Sequence, residues 1–301
     1  MLLEDLVLSR SSVDLKTLSR VNTLTYDVQR RLFGLTLLDP PIDGVFGPVS
    51  NLALRQFAAL VGLSVESKLE WQLAEALLNH DADSLAPVSP KENFAGRIFR
   101  YMQRKNYFVA RFPNYFTIVY VEGTTKTGMP NDNRANAFND RRIVLAIENG
   151  TPVEMGNWTS TTEPGKDYTE TPLDPRGAAR IAFGQYKAWR VGVHHAGQPS
   201  GHEALVQVGT IRIHRDLNKD YQRIGDAVFE GSQFGINQHW GYDRPEDNVG
   251  AASAGCLVGR SKDEHREFMR IVKRDTRVKA SQGYTFITAV VDETDLAQLD
   301  R

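Results

Sequence analysis

Two segments late in the chain carry its most specific pattern, Phe234-Gly235-Ile236-Asn237-Gln238-His239-Trp240-Gly241 and Ser253-Ala254-Gly255-Cys256-Leu257-Val258-Gly259-Arg260. His239 stands 17 positions before Cys256. A cysteine attacks carbonyl groups as its thiolate, which a nearby imidazole, helix N-terminus or cation favours. Gly255 leaves room for backbone N–H groups to converge on an oxyanion. The pattern predicts a Cys-His pair for acyl transfer; the alternative is a small buried cysteine and a hydrogen-bonded core histidine.

The chain around these segments is predicted to be mostly antiparallel β structure. Apolar and β-branched runs are separated by Gly, Pro, Asn and Asp clusters, as strands separated by turns would be. These runs cover 115–121, 142–147, 188–193, 204–213 and 284–291. The apolar spacing predicts one clear helix over 261–274 and a second over 91–104.

The first 80 residues show helical periodicity instead. Three apolar stripes, within 28–35, 49–60 and 69–77, predict three short helices. Between the first two, Asp39-Pro40-Pro41-Ile42-Asp43-Gly44-Val45-Phe46-Gly47-Pro48 predicts a tight, ordered loop. Residues 81–90 have the composition of a linker. We therefore expect an α+β protein of two domains, a small three-helix N-terminal module at 1–88 and a β-rich domain at 89–301.

Composition excludes several classes of protein. The 301 residues are 41% hydrophobic and 24% charged, which is ordinary for a folded globular chain. With 36 basic and 37 acidic side chains, the net charge of -1 predicts no nucleic-acid partner. An acidic start and the absence of a long apolar run predict neither a signal peptide nor membrane insertion.

The N-terminal segments resemble a known family. Val28-Gln29-Arg30-Arg31-Leu32, Ile42-Asp43-Gly44-Val45-Phe46-Gly47-Pro48 and Ala53-Leu54-Arg55-Gln56-Phe57 are similar to the small three-helix peptidoglycan-binding domain that precedes many cell-wall hydrolases. The resemblance implies that Asp43, Gly44 and Phe46 contact peptidoglycan. The alternative is that these residues only shape a turn.

The pattern from His239 to Cys256 resembles the catalytic domain of L,D-transpeptidases, and a weaker similarity extends over about 110–292. That family remodels peptidoglycan cross-links through a cysteine acyl-enzyme. The resemblance implies that Cys256 is the nucleophile, His239 its general base and Ser253 a hydroxyl that positions the loop. It also implies that Gly255 and Cys256 supply backbone donors to the oxyanion. Arg260 and Trp240 are expected to contact substrate.

Two departures from that family's pattern bear on the reaction. Ala254 stands where the family has His, and Val258 where it has Arg or Asn, with Arg260 as a possible substitute charge. Loss of the second histidine affects how the acceptor or leaving amine is handled. Hydrolysis or exchange could therefore replace cross-linking.

The resemblance implies peptidoglycan stem peptides and glycan as partners, no cofactor and no metal. It also implies action at the bacterial cell wall or periplasm, by a phage-encoded protein or one delivered by a non-standard route. A catalytically silent wall-binding protein of a phage or secretion machine is the first alternative, which Ala254 keeps open.

A zinc-dependent peptidoglycan peptidase is the second alternative. Its ligands would come from His194, His195, His202, His214 and Asp216. Against it, no His-Glu-x-x-His occurs, and adjacent His194 and His195 in a strand would point to opposite faces. The Asp216 to Asp220 segment spaces oxygen ligands as a calcium loop does, but Tyr221 and Ala227 stand at the glycine and glutamate positions, which favours a solvated loop.

Overall fold

The structure, a computed structural model, describes residues 1–20 and 23–298. Residues 21 and 22 of the predicted N-terminal module and residues 299–301 of the predicted β-rich domain therefore lie outside the described residues. Helices and strands both contribute substantially, and the predicted α+β class is confirmed. No helix among the described residues is long and apolar enough to cross a membrane.

The helices of the described residues are mostly short. They are α1 (Leu3–Ser9), α2 (Leu15–Leu18), α3 (Thr23–Gly34), α4 (Pro48–Leu60), α5 (Trp71–Asn79), α6 (Ala82–Leu85), α7 (Phe94–Arg104), α8 (Lys166–Glu170), α9 (Lys262–Val272), α10 (Thr276–Ala280) and α11 (Glu293–Ala297). The three predicted N-terminal stripes fall in α3, α4 and α5, and the two later predicted helices fall in α7 and α9. Helix α1 was not predicted, although its Leu3 and Leu6 are fully buried.

The strands are β1 (Ser12–Asp14), β2 (Lys68–Glu70), β3 (Thr117–Glu122), β4 (Asp140–Glu148), β5 (Thr151–Thr161), β6 (Ala178–Ile181), β7 (Gly184–His194), β8 (His202–Gln207), β9 (Ile211–Asp216), β10 (Ala227–Gly231), β11 (Gln238–Trp240), β12 (Leu257–Gly259) and β13 (Phe286–Asp292). Eight of them close into a barrel in the order β11-β12-β5-β4-β3-β13-β7-β8, and β10-β9-β6 form a separate sheet. Barrel pairs are antiparallel except β11 with β12 and β13 with β3.

The apolar run at 204–213 is not the single strand that its composition predicted. It forms two strands, β8 in the barrel and β9 in the smaller sheet. The chain turns between them because the N–H groups of Val208 and Gly209 both donate to the carbonyl oxygen of Ala188, at 2.7 and 3.0 Å. A side chain at Gly209 would collide with the backbone of Ala188, which lies 2.8 Å from an ideal Cβ position. The break therefore depends on a contact with β7.

The N-terminal helices and the barrel share a packed interface. The apolar core of the helices includes Phe108, Phe112 and Tyr115, which precede β3. Asp39 is only 2% exposed, and it pairs with Lys187 of β7 and accepts a hydrogen bond of 2.8 Å from Tyr284. A carboxylate buried at this depth needs such partners to offset its lost hydration. The domain boundary near residue 88 stays a prediction.

Candidate functional site

Cys256 and Asn237 face each other at the starts of two parallel strands. Asn237 immediately precedes β11 and Cys256 immediately precedes β12, whose register pairs Gln238 with Leu257. The N–H of Leu257 donates to the Asn237 carbonyl at 2.9 Å, and the Asn237 N–H donates to the Cys256 Sγ at 3.4 Å. Strand pairing thus brings together two residues that are 19 positions apart in the sequence.

Alternation along β11 then decides which side chains reach the site. Gln238 is fully buried and donates to Thr288 of β13 at 2.9 Å, so it points into the barrel. The next residue, His239, points to the other side because successive side chains of a strand alternate. There it lines a cavity of about 720 Å³ together with Cys256 and His194. His239 and Cys256, which are 17 positions apart in the sequence, therefore line the same cavity.

The loop before Cys256 is held by its own residues. The Ser253 hydroxyl donates to the Cys256 carbonyl at 3.0 Å and accepts the Gly255 N–H at 3.1 Å. Gly255 has a φ of +118°, and a side chain there would run into the carbonyl oxygen of Ala179. Its N–H is already engaged by Ser253, which differs from the oxyanion-donor role expected of it. Among the described residues, the N–H of Cys256 makes no hydrogen bond and is left as the candidate oxyanion donor.

The Cys256 residue is almost completely buried. The residue is 7% exposed, and its sulfur contacts the Asn237 N–H and, at 3.5 Å, the carbonyl oxygen of Gly235. Burial raises the pKa of the thiol to about 11, and the Asn237 N–H offsets this only in part. The Cys-His pair expected from the sequence would instead favour the thiolate. No hydrogen bond joins the sulfur to His239 within the described part of the chain, so burial determines the pKa of the thiol.

His239 is 1% exposed and carries a defined tautomer. Its Nδ1 lies 2.8 Å from the carbonyl oxygen of Trp240, which can only accept, so Nδ1 carries a proton. Burial, followed by the neighbouring His194, holds the pKa of His239 well below its usual range. The side chain is therefore neutral near pH 7, with a lone pair on Nε2. That is the protonation state a general base requires.

Three histidine rings, His194, His195 and His239, line the cavity, and a fourth, His202, packs behind them. The His194 ring stacks on His239 at 3.8 Å between centroids with an interplanar angle of 8°, and on His195 at 3.9 Å and 26°. The expectation that His194 and His195 point to opposite faces is wrong, because β7 ends at His194 and His195 has a φ of +53°. His202 approaches edge-on at 5.4 Å from His194.

The other residues proposed for zinc lie apart from this cluster. His214 and Asp216 belong to β9 in the smaller sheet. The Asp216 carboxylate accepts the N–H groups of Asp220 and Tyr221 and pairs with Arg180 at 3.4 Å. Over residues 1–20 and 23–298, no group of three or more His, Cys, Asp or Glu side chains has an arrangement that could hold a metal ion.

Trp240 and Arg260 do not line the Cys256 cavity. Trp240 borders a neighbouring cavity of about 460 Å³ beside His202 and His265, with the Lys262 ammonium 4.8 Å from its ring centroid. Arg260 donates to the Arg244 carbonyl at 3.4 Å. Both lie on the segments that carry the site, but the structure places neither beside the sulfur.

Most of the predicted binding residues of the N-terminal loop make contacts within the N-terminal helical module itself. Phe46 is 8% exposed and belongs to the helical core. Gly44 has a φ of +71°, and its N–H donates to Gln29 at 2.8 Å. The Asp43 side chain is exposed, while one of its oxygens accepts from Gln29 at 2.9 Å and from the Val45 N–H at 2.9 Å. A role for these residues in wall binding stays a prediction.

The sequence pattern missed Asn237 as a functional residue. Its backbone contacts the sulfur, and its side chain reaches His194 at 3.0 Å and Gln207 at 2.9 Å. The residue stands inside the quoted segment before His239, which was the available signal. The role of His194 could not be found in this way, because β7 meets β11 only through closure of the barrel.

Comparison with known proteins assigns no family. No family model matches the sequence, and no curated protein matches it. One solved structure is similar at 13% identity and a TM-score of 0.26, over 93% of this chain and 99% of the other. That protein is described as a fused Zn-dependent amidase/peptidase and peptidoglycan-binding domain-containing protein from Clostridium acetobutylicum. A likeness this weak carries no argument about fold or function.

Proposed function

We propose that the protein is a peptidoglycan-active acyltransferase or hydrolase that acts on stem peptides through Cys256 and His239. One observation carries this proposal. The strand register of β11 and β12 brings the only cysteine of the chain and a neutral, correctly tautomeric histidine to one cavity of about 720 Å³. The peptide substrate comes from the resemblance of the His239 to Cys256 pattern to L,D-transpeptidases.

The chemistry starts from a neutral pair. Burial keeps the thiol protonated at rest, so the proton leaves as the sulfur attacks. The Sγ–carbon bond forms, the carbonyl π electrons move to oxygen, and the sulfur's proton passes to Nε2 of His239. The Cys256 N–H is the backbone donor available to the oxyanion.

The second half returns the proton. When the tetrahedral adduct collapses, the carbon–nitrogen bond breaks, and the leaving nitrogen takes the proton from His239. The thioester is then resolved by water, which is hydrolysis, or by another amine, which is exchange. Ala254 in place of a second histidine removes one group that could handle the acceptor, and hydrolysis is therefore the simpler outcome.

Turnover of purified muropeptides by wild type and Cys256→Ala tests the proposal. We expect the substitution to abolish turnover and to leave sedimentation with sacculi unchanged, because the predicted wall-binding surface lies in the N-terminal helices. Retained turnover in the variant would exclude thiol chemistry. Absence of turnover in both proteins, with sedimentation retained, would favour the catalytically silent wall-binding protein.

A further inference from the structure

The proposed base, His239, is the first ring in a stack of three imidazoles. His194 lies between His239 and His195, with centroid distances of 3.8 and 3.9 Å to the two rings. His194 is 7% exposed, and it reaches the site from β7, through strand order rather than through sequence proximity. The rings of His194 and His239 are nearly parallel, with 8° between their planes, and are in van der Waals contact.

Hydrogen bonds fix the tautomer of His194. The Gln207 N–H can only donate, so the Asn237 side-chain atom that it meets at 2.9 Å is the amide oxygen. The other end of the amide, the Nδ2 group, therefore donates to Nδ1 of His194 at 3.0 Å. A ring nitrogen that accepts a hydrogen bond carries no proton. His194 is thus neutral, with its single proton on Nε2.

The surroundings oppose a charge on His194. A second proton would have to enter at Nδ1, where the Asn237 amide hydrogens already point. The titratable rings packed against His194 are His195 on its own segment, His202 on β8 and His239 on β11. Asp174 lines the same cavity, but its carboxylate is paired with Arg176 and Arg215. Burial, with His195 and His202 adding to it, lowers the pKa of His194 to about 4.

We propose that His194, locked in its neutral form by Asn237, is a positioning residue for the general base His239. This inference rests on the proposed function. When the Cys256 proton arrives on Nε2 of His239, the new positive charge lies over the face of a neutral aromatic ring at 3.8 Å. A second cation at that distance would oppose the transfer, because like charges repel strongly in a buried site. His194, held neutral, therefore orients the base and adds no second charge to the stack.

Asn237→Asp is the sharpest test. The carboxylate keeps an oxygen for the Gln207 N–H and presents an acceptor where the amide donated, so Nδ1 of His194 should take up a proton. We expect at least a 10-fold fall in the rate of Cys256 acylation and a shift of its acid limb to higher pH, with substrate binding little changed. Asn51→Asp makes the same change of charge in α4, outside the cavity, and should leave the profile unchanged.

His194→Phe and nitrogen-15 NMR of the histidines complete the test. The Phe variant keeps a flat neutral ring and should retain most of the rate, while His194→Ala should lose it. NMR should show His194 of the wild type protonated on Nε2 alone. A proton on Nδ1 of His194, or an unchanged pH profile in Asn237→Asp, would overturn the inference while Cys256 acylation persists. Failure of the proposed function is distinguishable, because the wild type itself would then form no acyl-enzyme, and the inference would fail with it.

Discussion

Two glycine-containing loops, at 39–48 and at 253–256, differ in how their polar groups are hydrogen-bonded. In the loop at 39–48, Gln29 donates to the Asp43 side chain, the Val45 carbonyl and Ser50, and accepts from Gly44. The Cys256 loop also closes on itself through Ser253, but it leaves the cysteine and its amide facing a cavity. The polar groups of the N-terminal loop are largely satisfied within the module, whereas the Cys256 N–H makes no hydrogen bond among the described residues and is available at the cavity.

The largest effect is expected from Gly255→Ala. The φ of +118° is costly for any residue with a side chain, and the Ala179 carbonyl is backbone that cannot easily move. We expect the free energy of unfolding to fall by about 2–5 kcal/mol and acylation to fall at least 100-fold.

Gly225→Ala is the matched control for that variant. Gly225 has a φ of +89°, but nothing lies within 4 Å of an added side chain. Its cost should be only that of the backbone conformation, about 1–2 kcal/mol, with acylation unchanged. Equal losses of stability in the two variants, measured by urea unfolding, would mean that the contact with Ala179 is unimportant.

Alkylation of the resting thiol should be slow. Because burial raises the pKa of Cys256 to about 11, its thiolate fraction at pH 8 is about 100-fold below that of an ordinary cysteine. We expect the rate with iodoacetamide to keep rising above pH 9. Cys256 is the only cysteine, so unfolded protein in urea supplies the reference for the same thiol. A rate that levels off below pH 7 would indicate a preformed thiolate and contradict the neutral resting pair.

In the N-terminal loop, Gly44→Ala should affect stability alone. An added side chain would meet the ring of Tyr26, and the φ of +71° adds a backbone cost. We expect a loss of about 1–3 kcal/mol in the free energy of unfolding and no change in acylation by the folded protein. Gly62→Ala has a similar φ of +73° with open space around it, and should cost less. A loss of acylation in Gly44→Ala would show that the two loops are coupled.

The effect confined to acid pH is the pH dependence of stability contributed by His194. The unfolded side chain binds a proton below about pH 6.5, whereas the folded one does so only near 4, so its contribution to stability is lost as the pH falls between these values. The slope is at most about 1.4 kcal/mol per pH unit. Buried carboxyls oppose it, since burial raises the pKa of Glu163 to about 7. The difference between wild type and His194→Phe isolates the histidine, and identical pH slopes would contradict its neutral state.

Sequence periodicity was sufficient for the longer amphipathic helices but not for α1 or for every strand. The stripes in α3, α4, α5 and α9 were predictable because burial follows from spacing along one element. The break between β8 and β9 was not, because it depends on the Ala188 carbonyl of another strand.

The same limit applies to the site. Spacing found His239 and Cys256, which the structure brings to one cavity through the parallel pairing of β11 and β12. It could not find the stack of His194 on His239, since β7 and β11 are joined only through β8. Spacing also could not predict the left-handed backbone conformation of His195, which ends the alternation of side chains along the strand. The raised pKa of Cys256 depends on burial, which the motif does not encode.

Formation of an acyl-enzyme on Cys256 is tested most directly by mass spectrometry of the protein. Wild type and Cys256→Ala are incubated with tetrapeptide-stem muropeptides, or with a carbapenem as a reactive acyl donor, quenched in acid and digested to locate the adduct. We expect an added acyl mass on Cys256 in the wild type and none in the variant. An unmodified wild-type protein, or an equal adduct in Cys256→Ala, would contradict it.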